Sequence, residues 1–205
     1  MRDHRPALRR LVGHMWADER AAQLAEFAIS LPLLVFFVVG IFDFSSAFTL
    51  KQKLTNIARD AARTAAGSPA NDLSSPSTTE PASVLDAFQL IDNYFVANNL
   101  NDCGVKATGA PAGMTWTFTA NGSGCTAPGV TITINRGYYM PVTGAALPSV
   151  TCAPPGATSG LTVIATCVSI QYAYPWRFGR VANLLGATDT LPSQISATAI
   201  ALNEN

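Results

Sequence analysis

An apolar run that follows a single acid constrains this chain more than any other feature of its sequence. Glu26 directly precedes the run Phe27–Phe42. As a helix this run would span roughly 24 Å. That is shorter than the roughly 30 Å hydrocarbon layer of a membrane, but continuing the helix to Phe48 supplies the missing length. Because a carboxylate at the edge of a membrane segment is costly, we expect Glu26 to have a function.

The helical pattern continues beyond the apolar run, because apolar residues recur at spacings of three and four. These residues are Phe44, Phe48, Leu54, Ile57, Ala58, Ala61 and Ala65. Gly67-Ser68-Pro69 then predicts the end of a single long helix. Pro32 is expected to kink this helix, since proline removes a backbone donor. The alanine-rich face of its second half favours either the close approach of another helix or packing on the protein's own domain.

The distribution of charge argues against a nucleic-acid partner. From residue 64 onward, seven acidic residues face four basic ones, whereas a nucleic-acid-binding face needs dense positive charge. Both histidines, His4 and His14, precede the apolar run, so the rest of the chain has no imidazole for a catalytic triad or a zinc site. No Gly-x-Ser-x-Gly turn is present. We therefore expect no enzyme activity, no catalytic residues, no metal and no cofactor.

Four cysteines lie beyond the long helix, and none forms a close pair of the kind found in zinc or redox motifs. They are Cys103, Cys125, Cys152 and Cys167. An even count in a small domain behind a membrane segment predicts two disulfides in an oxidising compartment. Three pairings exist, and the short loops favour Cys103–Cys125 with Cys152–Cys167. The position of the cysteines also predicts the orientation of the helix in the membrane, with the N-terminal tail in the cytoplasm and the domain outside. The flanking charges are nearly balanced and are less informative.

The remaining sequence predicts an α+β domain. After a polar linker over residues 67–82, Ser83 is expected to cap a helix, with Asp86 three residues later. Period-two patterns then predict strands at Met114–Thr119, Val130–Ile134, Thr162–Tyr174 and Ile195–Leu202. In the third of these, Val163, Ala165 and Cys167 are expected to face inward, with Ser169 as a further candidate. The aromatic cluster Tyr172–Phe178 is either a contact patch or core packing. An antiparallel sheet packed on the outer half of the long helix accommodates these elements.

Several segments of the long helix resemble one known signature. They are Ala22-Gln-Leu-Ala-Glu26-Phe27-Ala28, Leu31-Pro32, Gly40-Ile41-Phe42-Asp43-Phe44 and Leu54-Thr-Asn-Ile-Ala58-Arg59-Asp60-Ala61-Ala62-Arg63. Together they resemble the N-terminal region of TadE-like proteins, pseudopilins of the tight-adherence (Flp) machinery, a branch of type IV pili. The resemblance implies a pilin-like fold and covers about residues 20–66.

The resemblance also implies a processing site and an assembly site. A prepilin peptidase would cut the Ala21–Ala22 bond, where relatives usually have glycine before the cut. Glu26 would then pair with the new ammonium of a neighbouring subunit, with Phe27 and Pro32 beside it on the assembly helix. Asp43 is expected either to reach the outer headgroups or to pair with Lys51 or Arg59 of a staggered copy.

The prediction is a minor pseudopilin in the bacterial inner membrane, with residues 1–21 as a cytoplasmic leader and residues 22–66 as the assembly helix. Residues 83–205 would form the periplasmic or extracellular domain. Its expected partners are the membrane, other pilins and pseudopilins, machine components and prepilin peptidase. Two alternatives remain open: an uncleaved scaffold of the same machine, and a signal-anchored binding domain unrelated to pili. A cleaved signal peptide is disfavoured, since no small-residue site closes the apolar run promptly.

Overall fold

The computed structural model describes residues 19–69, 73, 80–122, 124–141, 149–153, 162–179 and 191–204. Most of the predicted leader and much of the predicted linker lie outside these residues. The two long helices are α1 (Glu19–Gly67) and α2 (Ala82–Ala97). The strands are β1 (Ala110–Ala112), β2 (Thr115–Ala120), β3 (Val130–Pro141), β4 (Thr162–Ala173) and β5 (Gln194–Leu202). The predicted α+β class, with a long apolar N-terminal helix and an antiparallel sheet, is confirmed.

Helix α1 runs without interruption through Pro32. In the part of the chain that the structure describes, it is the one helix long and apolar enough to cross a membrane. Its second half is amphipathic: one stripe is buried, while Lys51, Arg59 and Arg63 on the opposite side are exposed. The buried stripe belongs to the main core and consists of Ala47, Leu50, Leu54, Ile57, Ala58, Ala61, Ala62 and Ala65. The alanine-rich face therefore packs on the protein's own domain and is not open to another helix.

The C-terminal end of α1 is held by a buried arginine from β3. Arg136 donates from Nη1 to the carbonyl of Ala65 and from Nη2 to the carbonyl of Ser68, the latter over 2.9 Å. Nη1 also contacts Thr166 Oγ1 at 3.2 Å. Because the last carbonyls of a helix lack intrahelical donors and carry partial negative charge, a guanidinium stabilises them.

Helix α2 begins at Ala82, and the N-cap position is occupied by Pro81, two residues before the predicted cap Ser83. The carbonyl of Pro81 accepts hydrogen bonds from the amides of Val84 and Leu85, each at 3.0 Å. Proline is tolerated at this position because no intrahelical hydrogen bond requires the backbone N–H that it lacks. The predicted apolar stripe is buried as expected: Val84, Phe88, Ile91 and Phe95.

The five strands form an antiparallel meander in the order β1-β2-β3-β4-β5. Strand β3 continues to Pro141, well beyond the predicted end at Ile134. The prediction ended too early because a bulge between Asn135 and Tyr138 breaks the alternation of side chains on which it depended. One face of the sheet joins both helices in the main core. Its fully buried residues include Trp116, Phe118, Ile132, Ile134, Val168 and Ile170.

The opposite face of the sheet carries a second, smaller core built around a disulfide. Cys152 in the 149–153 loop is bonded to Cys167 of β4, and both are fully buried beside Tyr138 and Ala165. Asn135 donates a hydrogen bond to the Cys152 carbonyl over 2.9 Å, which ties the loop to β3. The prediction that the odd-numbered residues of β4 face inward is therefore right for this small core. It is wrong for the main core and for Val163, which is exposed.

The other disulfide, Cys103–Cys125, joins the loop after α2 to the connection between β2 and β3. The amide of Gly122 also donates to the Cys103 carbonyl over 3.1 Å. Both pairings favoured by the sequence are therefore confirmed. Each closes a short loop beside the sheet, where it limits the freedom of the unfolded chain.

Candidate assembly site on the apolar helix

The first half of α1 presents large apolar side chains on all sides. Their exposed fractions include 63% for Phe27, 77% for Ile29, 62% for Leu34 and 68% for Ile41. Soluble domains rarely expose a contiguous apolar surface of this size, so it marks a membrane or protein contact. A helix that is apolar all round fits a hydrocarbon environment.

Glu26 lies at the start of this apolar surface and is exposed, next to Phe27. The Ala21–Ala22 bond lies about one helical turn before it, within α1 itself. Pro32 is also exposed, about 1.7 turns further along. The predicted processing and assembly residues thus lie in order along the same end of α1.

Asp43 differs from Glu26 in being buried, with only 4% of its surface exposed. Its Oδ2 accepts a hydrogen bond from the backbone N–H of Phe178 at 2.8 Å. This partner belongs to the same chain, in a short helical segment at residues 177–179 that follows β4. Neither of the two roles predicted for Asp43 included such an intramolecular partner.

The ring of Phe178 packs on the apolar surface of α1 around Gly40. Its centroid lies 4.8 Å from that of Phe36 and 5.9 Å from that of Phe44. A methyl group at Gly40 would come within 3.1 Å of Phe178 Cε2. Because Gly40 has no side chain, the ring of Phe178 can pack closely on the helix at this position.

The aromatic cluster Tyr172–Phe178 divides between two surroundings. Tyr172 meets Phe95 edge to face at 5.8 Å between centroids, and Tyr174 meets Trp176 at 4.8 Å. The side chains of Tyr172, Tyr174 and Trp176 are partly buried against the main core. Core packing accounts for them, whereas Phe178 contacts the apolar half of α1.

Two titratable groups near the loop after α2, Asp92 and Tyr172, show pKa shifts that have structural causes. Burial, and secondly the negative charge of Asp102, raise the pKa of Asp92. Burial is also the main cause that raises the pKa of Tyr172. Asp102 itself accepts a hydrogen bond from the Gly104 amide at 3.1 Å and so shapes the loop. Among the residues that the structure describes, no cluster of His, Cys, Asp or Glu is suited to a metal ion.

Comparison with known families finds a match for the apolar helix. Residues 21–63 match the model for TadE-like proteins. This range contains all the candidate residues of α1, and it confirms the resemblance drawn from their motifs. A TadE-like segment suggests involvement in the Tad pilus system. No curated protein and no solved structure matches the chain.

Two contacts of α1 were not predicted from the sequence. Phe178 contacts the apolar half, and Arg136 contacts the end of the amphipathic half. Phe178 was visible only as part of an aromatic cluster, and Arg136 only as an isolated basic residue. Gly40 inside an apolar run was a usable signal, because glycine on a helix face permits close approach of another group. The partner of that face lies 138 positions away in the chain (178 minus 40), and periodicity carries no information over that distance.

Proposed function

We propose that this protein is a non-enzymatic minor pseudopilin of a tight-adherence pilus machine, anchored in the bacterial inner membrane by α1. The observation that carries the proposal is the exposed pair Glu26 and Phe27 at the start of an all-apolar helix surface that matches the TadE-like family. The disulfides of the sheet domain support an oxidising compartment for that domain and a cytoplasmic leader.

Assembly would proceed through the first half of α1. Cleavage of the Ala21–Ala22 bond would create an ammonium about one helical turn before Glu26. In a medium of low dielectric constant, the carboxylate of one subunit and the ammonium of the next attract each other several times more strongly than in water. Because opposite charges are paired at one height only, the interaction would set the axial register between subunits.

Substitutions at Glu26 test this function in cells that make the pilus and lack the native copy of the gene. Glu26→Gln removes the charge with little change of shape and is expected to lower co-purification with other pilin-like subunits at least tenfold. Glu26→Asp keeps the charge and should retain part of the binding. Asp60→Asn, at an exposed acid in the second half of α1, is the matched control. Normal assembly of the Glu26→Gln variant at equal membrane levels would refute the proposal.

A second candidate function, that of an uncleaved scaffold in the same machine, is favoured by one residue. Position 21 is alanine, whereas the resemblance implies glycine before the cut. Intact mass and N-terminal sequencing of the protein from native membranes separate the two functions. A chain that begins at Ala22 supports the pseudopilin, and a chain that retains residues 1–21 supports the scaffold.

The buried stripe of α1 argues against a cleaved signal peptide. A cut between residues 57 and 70 would remove Leu50, Leu54 and Ile57 from the core of the sheet domain. Loss of three buried aliphatic side chains at about 2–5 kcal/mol each is comparable to the whole stability of a typical small domain. A mature chain lacking this segment would therefore not retain the fold.

A further inference from the structure

We propose that the short helical segment at residues 177–179, after β4, enters the membrane at Phe178, and that Asp43 holds it there. The contact would lie in the distal half of the bilayer, meaning the half farther from Glu26. The chain would then touch lipid at a second element besides α1. This inference uses only the membrane-spanning character of α1 and does not depend on a role in pili.

The depth of the contact follows from helix geometry. At 1.5 Å per residue, a hydrocarbon layer of roughly 30 Å takes up about 20 residues of α1. Arg20 and Glu26 limit where the layer begins, so it ends between about residue 41 and residue 46. Phe36 and Gly40 lie inside the layer in both cases. The ring of Phe178 packs on those two residues, and is therefore at hydrocarbon depth.

The backbone of Phe178 lies closer to the membrane boundary than its ring does. Its N–H is bonded to Asp43 at 2.8 Å, and Asp43 is near the distal end of the layer. The ring extends from there toward Gly40, that is, toward the middle of the bilayer. An aromatic side chain that enters lipid from a backbone at the interface is a common form of membrane contact.

The hydrogen bond between Asp43 and Phe178 serves both groups at this depth. A backbone N–H in or near hydrocarbon needs an acceptor, because no water is available. A carboxylate in a membrane helix likewise needs donors and is otherwise costly. Asp43 is 4% exposed, so the contact shields it. This explains why an acid is tolerated near the end of an otherwise apolar segment.

The neighbouring residue Arg177 fits the same boundary. It lies directly before Phe178 and is exposed. A long cationic side chain at this level reaches the phosphate groups of lipids while its stem remains in the apolar region.

Nitroxide labels on the full-length protein in phosphatidylethanolamine and phosphatidylglycerol vesicles test the proposal. All four native cysteines are in disulfides, so an introduced cysteine is the one thiol available for labelling. Arg177→Cys would be compared with Phe42→Cys on α1 and with Val96→Cys on α2, both at exposed positions. The measured quantity is the ratio of collision rates with oxygen, which dissolves in lipid, and with a water-soluble nickel complex.

We expect the ratio at Arg177 to lie near that at Phe42 and several times above that at Val96. A ratio at Arg177 equal to that at Val96 would place the segment in water and overturn the proposal. A label at Phe42 as exposed to water as the label at Val96 would also overturn it, since the hydrocarbon layer would then end before residue 41. Protection of the Arg177 label from both collision partners would also overturn it, because a second protein copy and not lipid would cover the site.

The role of Asp43 is tested by repeating the Arg177 measurement in two backgrounds. Asp43→Ala should shift the ratio toward the value at Val96 and increase the mobility of the label. Ile41→Ala, which removes an exposed apolar side chain two positions away, should leave both quantities unchanged. An unchanged spectrum in the Asp43→Ala variant would contradict the role of Asp43. Intact mass with blocked thiols confirms that both disulfides, and hence the fold, are retained.

Discussion

The two halves of α1 differ both in apolar content and in how they expose it. Leu34 in the first half is 62% exposed, whereas Leu54 in the second half is 0% exposed. In the first half apolar residues surround the helix, and in the second they form one stripe opposite charged residues. The comparison shows that the arrangement of apolar residues, together with their number, distinguishes a surface for lipid and partners from a surface for the protein's own core.

The largest expected effect comes from truncating the same residue type in the two halves. Leu54→Ala should lower the free energy of unfolding of the sheet domain by about 2–5 kcal/mol, because it leaves a cavity in the core. Leu34→Ala should change it by less than about 0.5 kcal/mol, since the side chain is exposed. Chemical denaturation in detergent, followed by the near-ultraviolet circular dichroism of buried Trp116, provides the measurement. Equal losses in the two variants would contradict the division of α1.

The next effect concerns the disulfide on the far side of the sheet. Replacing Cys152 and Cys167 together by serine should destabilise the domain by about 3 kcal/mol, because it frees a loop with a sequence separation of 15 residues. Membrane insertion of the first half of α1 should be unaffected. Carbonate extraction of membranes and denaturation of the purified protein measure the two properties separately. Release of the variant from membranes would show that the halves are less independent than we describe.

A smaller effect is expected at the end of the amphipathic half. Arg136→Met preserves much of the side-chain volume but removes the donors to the carbonyls of Ala65 and Ser68. We expect a loss of about 2 kcal/mol. Faster amide hydrogen exchange should appear in the last turns of α1 and not near Glu26. Uniform protection along the helix in the variant would argue against this capping role.

The smallest effect concerns a carboxyl group on α2. Burial and Asp102 raise the pKa of Asp92 above its ordinary value of 3.8, so the folded protein binds the proton more tightly than the unfolded chain does. The ionised carboxyl group therefore lowers the free energy of unfolding. This loss is absent below pH 3.8 and grows as the pH rises through the folded-state pKa of Asp92. Asp92→Asn should therefore raise the Tm at pH 7 and leave it nearly unchanged at pH 3. The exposed Asp86→Asn is the control, and an equal gain in both variants would exclude this cause.

The sequence was most informative where one element carried the whole signal. Helix α1, the stripe of α2 from Val84 to Phe95 and the alternation in β2 follow from local periodicity, and loop length favoured the correct disulfide pairing. The bulge in β3 concealed that strand's second half, since it reverses the alternation of side chains. The partners of Asp43 and Arg136 depend on tertiary contacts across 135 and 71 positions, which no local pattern encodes.

Photo-crosslinking at Phe27 is the most direct test of the central claim that the first half of α1 binds other subunits through Glu26. A benzophenone amino acid at this exposed position would be irradiated in cells that make the pilus. We predict a covalent adduct with a pilin-like subunit that is retained in the Glu26→Asp background and lost in the Glu26→Gln background. An adduct with lipid alone, or a subunit adduct of equal yield in both backgrounds, would contradict the claim.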